Sequence, residues 1–274
     1  MAVTVTQSDL KGFYPDSSFP AEEIVPDSLL LQIATITQAP EGDQPQVRVP
    51  FIASDPKVGF VAEGKEIPNG DPGLDEILIS TKKLALTHTQ SRESYAYPDA
   101  ANAVSTSLQR AITVAADQAF LNSPSDPTGL RNITGVVNAG TVTDSLDPFL
   151  DGIAAIQENY GNPSAIVMDP KSWAVLGKLK YKDGALQLGS PVASAARTLF
   201  SLPVYITPSM TAGNALIVSK ADLIAAVGTI DLTTSAEAAF NADSLVHRIT
   251  WRIGWNTVHA NRFAKLAITL PPKV

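Results

Sequence analysis

No cysteine occurs in the sequence, which removes disulfides, thiolate zinc sites, thiol nucleophiles and iron–sulfur clusters together. Nothing here depends on an oxidising compartment. Histidine is nearly as scarce: the three, at 88, 247 and 259, are isolated in sequence, and none has the H-x-x-x-H or H-E-x-x-H spacing that puts two ligands on one helix face. Neither a metal nor another cofactor is expected. Lysine and arginine total 20 against 27 aspartate and glutamate, a net charge of −7 with no basic block, which is too little positive charge for a reader of duplex nucleic acid. No apolar run reaches the roughly 20 residues that a membrane helix needs. The first residues, MAVTVTQSDL, lack the basic region and apolar core of a signal peptide. A soluble protein made without export, with no membrane partner, is the expectation. Also missing are the G-x-S-x-G elbow, the G-x-x-x-x-G-K-S/T loop and G-x-G-x-x-G, so hydrolase, nucleotide and dinucleotide readings lose their supports.

What is present is ample apolar material: 45% hydrophobic residues against 17% charged over 274 positions, enough for one large domain or two modest ones. The chemistry-bearing residues have bland explanations. Asp71, Asp75 and Glu76 lack the D-x-D-x-D-G arrangement of a calcium loop and read as a solvated loop tip. Asn132-Ile133-Thr134 is a sequon without meaning unless the chain is exported. Trp251 and Trp255 would suit a sugar platform, but the face they share is apolar throughout and reads as sheet core or subunit contact. His88 and His247 read as packed or interfacial side chains.

Along the chain, residues 1–46 carry Pro15, Pro20, Pro26 and Pro40 and one good apolar run, Ser28 to Ile36. Proline disfavours helix at and before itself, so most of this arm should be extended or irregular and must lie on the rest of the molecule or on a neighbour. From Val47 to Gln90 the period becomes two, with Val47, Val49 and Phe51, then Val58, Phe60 and Ala62, then Leu84, Leu86 and His88 reading as strands. Between them EGKEIPNGDPGLDE, Glu63 to Glu76, is too polar for a core and predicts the tip of a projecting hairpin. Such a hairpin is marginal alone and should pack on something else. Val104, Leu108, Ile112, Ala115 and Ala119 then recur at helical spacing after an Asp99 cap. Further helices are predicted behind Asp147-Pro148, with Phe149, Ile153, Ile156 and Tyr160 on one face, and behind Asp169-Pro170, with Trp173, Leu176 and Leu179. Short strands at Ala165–Met168 and Ala215–Val218 complete an α/β lobe. Leu245 to Trp255 alternates almost perfectly, and a last strand runs from about Phe263 to Leu270.

An arm and a hairpin that cannot bury themselves, with no catalytic constellation beside them, make self-assembly the physical default. At this point several phrases resemble the major capsid proteins of tailed double-stranded DNA bacteriophages, the Hong Kong 97-type shell fold. VGFVAEGKEIPNGDPGLDEILISTKKLALTHTQSRESY is similar to that family's E-loop, DQAFLNSPSDPTGLRNITGV to the end of its spine helix, IVMDPKSWAVLGKLKYKDGALQL with LPVYITPSM and NALIVSKADL to its axial domain, and FNADSLVHRITWRIGWNTVHANRFAKLAI to its closing strands.

The resemblance implies an α+β fold: an N-terminal arm (1–46), an E-loop hairpin (47–91), a peripheral domain with the spine helix (92–142), an axial domain (143–225) and peripheral closing strands (226–274). It implies hexamers and pentamers of the chain itself, forming an icosahedral head around the genome. Subunit contacts would fall at E-loop residues Val58, Phe60, Glu63, Lys65, Ile67, Asp71, Asp75, Glu76 and Ile77, and at arm residues Phe13, Tyr14 and Phe19. Other implied partners are a portal, separate scaffolding or cement proteins, and packaged double-stranded DNA without sequence-specific contact. The place implied is the virion, assembled in the bacterial host cytoplasm. An encapsulin-type nanocompartment shell is the alternative within this fold; a monomeric enzyme or sugar-binding domain is the alternative outside it.

Two departures from the family pattern stand out. Only about 45 residues precede the first E-loop strand, so scaffolding is separate or unused. The family's type member joins an E-loop Lys to a peripheral Asn through an isopeptide bond promoted by a Glu. Lys57 or Lys65 and Asn241, Asn256 or Asn261 could supply the partners here, but no Glu occurs from Ala238 to Val274. Without a carboxylate to take the amine proton the reaction should be slow, and no covalent cross-linking is expected.

Overall fold

The computed structural model describes residues 16–37, 40, 44–56, 58–67, 69–95, 100–188 and 197–271. The chain begins with β1 (Asp16–Phe19), two short helices, α1 (Ala21–Ile24) and α2 (Leu29–Ile33), and β2 (Thr35–Thr37). Two strands of very unequal length follow, β3 (Gln46–Ser54) and β4 (Gly73–Ser91), then α3 (Arg92–Tyr95) and the long α4 (Ala100–Asn122). Next come β5 (Val137–Val142), α5 (Asp147–Glu158), β6 (Ala165–Met168), α6 (Pro170–Leu176), β7 (Thr198–Leu199), β8 (Leu202–Ile206) and β9 (Asn214–Val218). The chain closes with β10 (Leu223–Ala239), β11 (Ser244–Thr257) and β12 (Ala264–Ile268).

These strands form two six-stranded sheets. The first runs β1-β10-β11-β4-β3, with β2 also on β10; the second runs β5-β12-β9-β6-β8-β7. The α/β lobe therefore takes β5 and β12 from outside residues 143–225, because the parallel partner of β12 is a strand more than 100 residues earlier. Period-two alternation in β11 does what it implies: His247, Ile249, Trp251, Ile253 and Trp255 are buried on one face. The Trp251 indole is fully enclosed and donates to the Gly228 carbonyl at 3.0 Å, and Trp255 donates to the Thr128 carbonyl at 2.8 Å. Both indoles are core, and a sugar platform is excluded.

Against that face lies α4, burying Leu108, Ile112, Ala116, Phe120 and Leu121. Ala115 points to solvent, so the buried register is set by Ala116. Asp99 falls outside the described residues. At α5 the helix starts on Asp147 itself with Leu146 in the capping position, and Tyr160, beyond the helix end at φ 57°, is 91% exposed instead of continuing the apolar face. Asp169 does cap α6, its carboxylate accepting from the Lys171 and Ser172 amides at 3.0 and 3.1 Å.

The N-terminal segment takes the first of its two options. Ala21, Ile24, Val25, Leu29, Leu30, Ile33 and Ala34 are buried in the main core, β1 pairs antiparallel with β10 and β2 pairs parallel with it. From residue 16 to 37 the arm thus packs on its own chain. Its helical segment is pinned by Asp117 of α4, whose Oδ1 accepts from Ser28 Oγ at 3.0 Å and from the Leu29 amide at 2.9 Å. Burial pushes the Asp117 carboxyl up to about 6, and the hydrogen bonds from Ser28, Leu29 and Leu30 offset only part of that rise.

This pin has the opposite pH dependence from an ordinary ion-paired carboxylate. Its folded pKa lies above the unfolded value. Between about pH 4 and 6 the folded chain therefore holds a proton the unfolded chain has released, and the contribution is lost as pH rises through 6. Asp117→Asn keeps an acceptor oxygen for Ser28 and Leu29 but cannot titrate. Relative to that variant, the wild-type subunit should lose up to roughly 2–3 kcal/mol of unfolding free energy between pH 4 and pH 7. Denaturant melts at intervals across that range measure it, and parallel curves for the two proteins contradict the assignment.

Candidate functional site

Among the described residues no group of three or more His, Asp or Glu side chains could hold a metal ion, and no helix is long and apolar enough to cross a membrane. His247 and His88 stack directly opposite each other on β11 and β4, with ring centroids 6.5 Å apart. His247 is buried and bonded through Nδ1 to Thr234 Oγ1 at 3.0 Å. Burial holds its pKa below the ordinary value, and His88 adds to the effect. Here the packed reading of His247 holds, while His88 lies exposed on the same strand pair.

One polar cluster escaped the sequence reading. The buried carboxylate of Asp222 accepts from Ser219 Oγ at 2.6 Å and from Arg262 Nη1 at 2.8 Å, and meets His259 Nδ1 at 2.9 Å. Arg262 also donates through Nε to the Asn159 carbonyl at 2.9 Å. Serine and histidine both bind the acid, so no base is aimed at a nucleophile. What the cluster does is join the start of β10, the end of β11 and the end of α5 at the seam of the two sheets. Its members are spread over more than 100 residues, and no local spacing announces them.

The largest concentration of exposed apolar side chains among the described residues is on the β3–β4 hairpin. At its base β4 changes neighbours: residues 81–91 pair with β11, and residues 73–80 pair with β3. Several contacts hold this base. Val47 and Ile79 are buried with Ala226, Phe51 sits edge-on to His259 with centroids 6.0 Å apart, and Asn256 Nδ2 donates to the Leu78 carbonyl at 2.9 Å. Gly254 is required there, since a Cβ on it would collide with the Ser80 carbonyl. Arg252 Nη1 adds a bond to the Thr81 carbonyl at 3.2 Å.

Beyond the base the hairpin leaves the body of the subunit. Val58, Phe60 and Ala62 are not a strand; the described residues from 55 to 72 are irregular, and no strand among the described residues pairs with them. The polar tip is correspondingly displaced from Glu63–Glu76: Asp75, Glu76 and Ile77 are in β4, with Glu76 bridged to Arg48 at 2.9 Å and Ile77 half-buried. Glu63, Lys65, Ile67 and Asp71 remain in the exposed tip. Val58 is 93% exposed, Ile67 79% and Phe60 fully. Ile52, Leu74 and Leu78 are also exposed on the hairpin and belong with them, although the sequence reading passed over them. Their signal was available, as apolar residues on both faces of a strand whose body has room for only one.

Phe13 and Tyr14 lie outside the described residues, as does Lys57. Phe19 is in β1, its backbone opposite Ile230 of the same chain. Of the three asparagines weighed for cross-linking, Asn256 is engaged at both ends of its amide and Asn261 donates to Asn159 Oδ1 at 2.7 Å. Asn241 is exposed in the turn between β10 and β11.

The hairpin thus presents a rooted apolar surface, and no catalytic arrangement stands among the described residues. The model described as the Phage capsid family matches residues 21–268. Among solved structures, the chain is similar to the capsid of an empty GTA particle (TM-score 0.73, 18% identity, covering 88% of this chain and 90% of that one). It is also similar to a chain from Gordonia phage Cozz (TM-score 0.71, 15% identity, 89% and 87%) and to one from Mycobacterium phage Bobi (TM-score 0.69, 13% identity, 98% and 100%). No curated protein sequence matches.

Proposed function

Because the chain belongs to the phage capsid family and is a major capsid protein, we propose that its copies close into an icosahedral shell of hexamers and pentamers, each laying its β3–β4 hairpin over a neighbour. The observation that carries this is the hairpin itself, rooted at its base and bare at its tip. Burying an apolar side chain such as Phe60 or Ile67 is worth about 1.5–3 kcal/mol relative to leaving it in water, and among the described residues of one subunit nothing covers them. Val58, Phe60 and Ile67 supply the apolar centre of the contact. Glu63, Lys65 and Asp71, with Asp75, Glu76 and Ile77 along β4, supply its rim. To the same subunit contact we assign the arm residues Phe13, Tyr14 and Phe19.

The shell is a virion component, and we place its assembly in the bacterial host cytoplasm around double-stranded DNA held without sequence-specific contact. A portal and separately encoded scaffolding or cement proteins complete the particle. None of the matches described favours the encapsulin-type nanocompartment.

Negative-stain microscopy of the expressed protein, alone and with its scaffolding and portal partners, should show closed shells; a monomer under every condition overturns the reading. The same particles, boiled in detergent, should run as one band of single-subunit size, since the E-loop lysine and peripheral asparagine have no glutamate supplied by residues 238–274. A ladder of linked subunits contradicts that second expectation without touching the first.

A further inference from the structure

Away from the hairpin, the face of the second sheet turned away from α5 and α6 is covered by the main core over part of its area, and beside the buried Leu216 it holds a polar cleft of about 260 Å³ lined by Arg131, Asn138, Asn214, Leu216, Lys265 and Ala267. Strand register builds it. Lys265 of β12 lies opposite Asn138 of β5 on one side and Leu216 of β9 on the other, and Ala267 lies opposite Asn214 in the next row. The alternate residues of β12, Ala264, Leu266 and Ile268, are buried under α5 and α6, so Lys265 and Ala267 face away from that core. The floor is low: Ala267 is small, and Gly140 of β5, at φ 94°, has open space where a Cβ would stand.

Arg131 forms the wall. Its guanidinium donates to Asn122 Oδ1 at 3.0 Å, Thr211 Oγ1 at 2.7 Å and Asn214 Oδ1 at 3.5 Å. All three acceptors are neutral, so the group is held in place without its charge being cancelled. Lys265 has no ion-pair partner among the described residues, and no carboxylate is among those that line the cleft. One amide is left as a donor: Asn138 Oδ1 already accepts from the Gly140 amide at 3.2 Å, leaving its NH₂ group, whereas Asn214 is engaged at both ends, accepting from Arg131 and donating to the Thr211 and Ala212 carbonyls. Two uncompensated cations and a side-chain amide donor thus converge from different directions on one concavity of a chain whose net charge is −7.

From this arrangement we infer that the cleft between Arg131 and Lys265 binds a phosphate group. Donors arriving from a wall, a floor and a neighbouring strand suit a tetrahedral oxyanion, which offers acceptor oxygens in several directions; a planar carboxylate is matched by a single fork. The group is either a free phosphate or a backbone phosphate of nucleic acid.

The test is thermal unfolding of the purified full chain in sodium phosphate, with sodium chloride and sodium acetate at equal ionic strength. Phosphate at several times its dissociation constant should raise Tm by roughly 2–4 °C over both controls. Lys265→Gln should weaken phosphate binding by about tenfold or more and abolish the rise. Ala267→Glu, which adds a carboxylate at an exposed position on the floor, should do the same if the lysine variant proves unstable. Lys178→Gln, an exposed lysine outside the cleft, should leave the rise intact. A Lys265-dependent interaction with a short DNA duplex assigns the backbone phosphate, and a phosphate effect without DNA binding assigns the free ion. No phosphate-specific rise, an equal rise in Lys265→Gln, or an equal rise in acetate overturns the inference.

Discussion

Replacing Phe60 and Ile67 together by aspartate should abolish shell formation and leave the unfolding of the dissociated subunit unchanged. In the single chain these side chains touch little: Phe60 is fully exposed and Ile67 is 79% exposed. Substitutions at such places normally change stability by no more than about 0.5 kcal/mol. In the assembled shell the balance reverses. Each hairpin contact loses the burial of two large apolar groups, about 3–6 kcal/mol, before the cost of enclosing two carboxylates is added. Since every 1.4 kcal/mol is a factor of ten, the pairwise association constant falls by a factor of at least ~100. A closed shell repeats the contact in every subunit, so a loss of this size per contact stops assembly. Size-exclusion chromatography and negative-stain microscopy read the assembly, and circular dichroism melts of dissociated subunits read the fold. Shells of normal appearance from the double variant would refute the role given to the tip.

Trp251→Ala should do the reverse, damaging the subunit first. The indole is fully enclosed between the first sheet and the helical layer, and its Nε1 donates to the Gly228 carbonyl at 3.0 Å. Truncation leaves a cavity and an unpaired carbonyl, costing about 3–5 kcal/mol for a buried Trp→Ala change. In a chain of this size that corresponds to a fall in Tm of roughly 10 °C. Trp251→Phe retains most of the volume and loses the donor, so it should fall between the two. If Trp251→Ala melted within a degree or two of wild type, the indole would not be the core element described.

Much of the fold was legible because it is local. The alternation of β11, the apolar face of α4 and the Asp-Pro starts near 147 and 169 each report a side-chain period or a cap, which a short window contains. The hairpin was legible as a contradiction: apolar residues on both sides of a polar tip, with no place in a single subunit to bury them. Where local reading went astray, the cause was a missing or distant partner. Val58, Phe60 and Ala62 alternate like a strand but have no strand neighbour among the described residues, and Tyr160 keeps helical spacing although the helix has already ended.

What the sequence determined alone was the set of segments that must bury a face and the two, arm and hairpin, that cannot do so by themselves. Which surface covers each face was decided only in three dimensions. The switch of β4 from β11 to β3, the return of β5 and β12 into the second sheet, and the packing of residues 21–34 on α4 all join positions far apart in the chain. So do the Asp222 cluster and the cleft at Lys265. Side-chain periodicity states how much surface an element must hide, but carries no information about distant partners; those are selected by the register and packing of the whole chain at once.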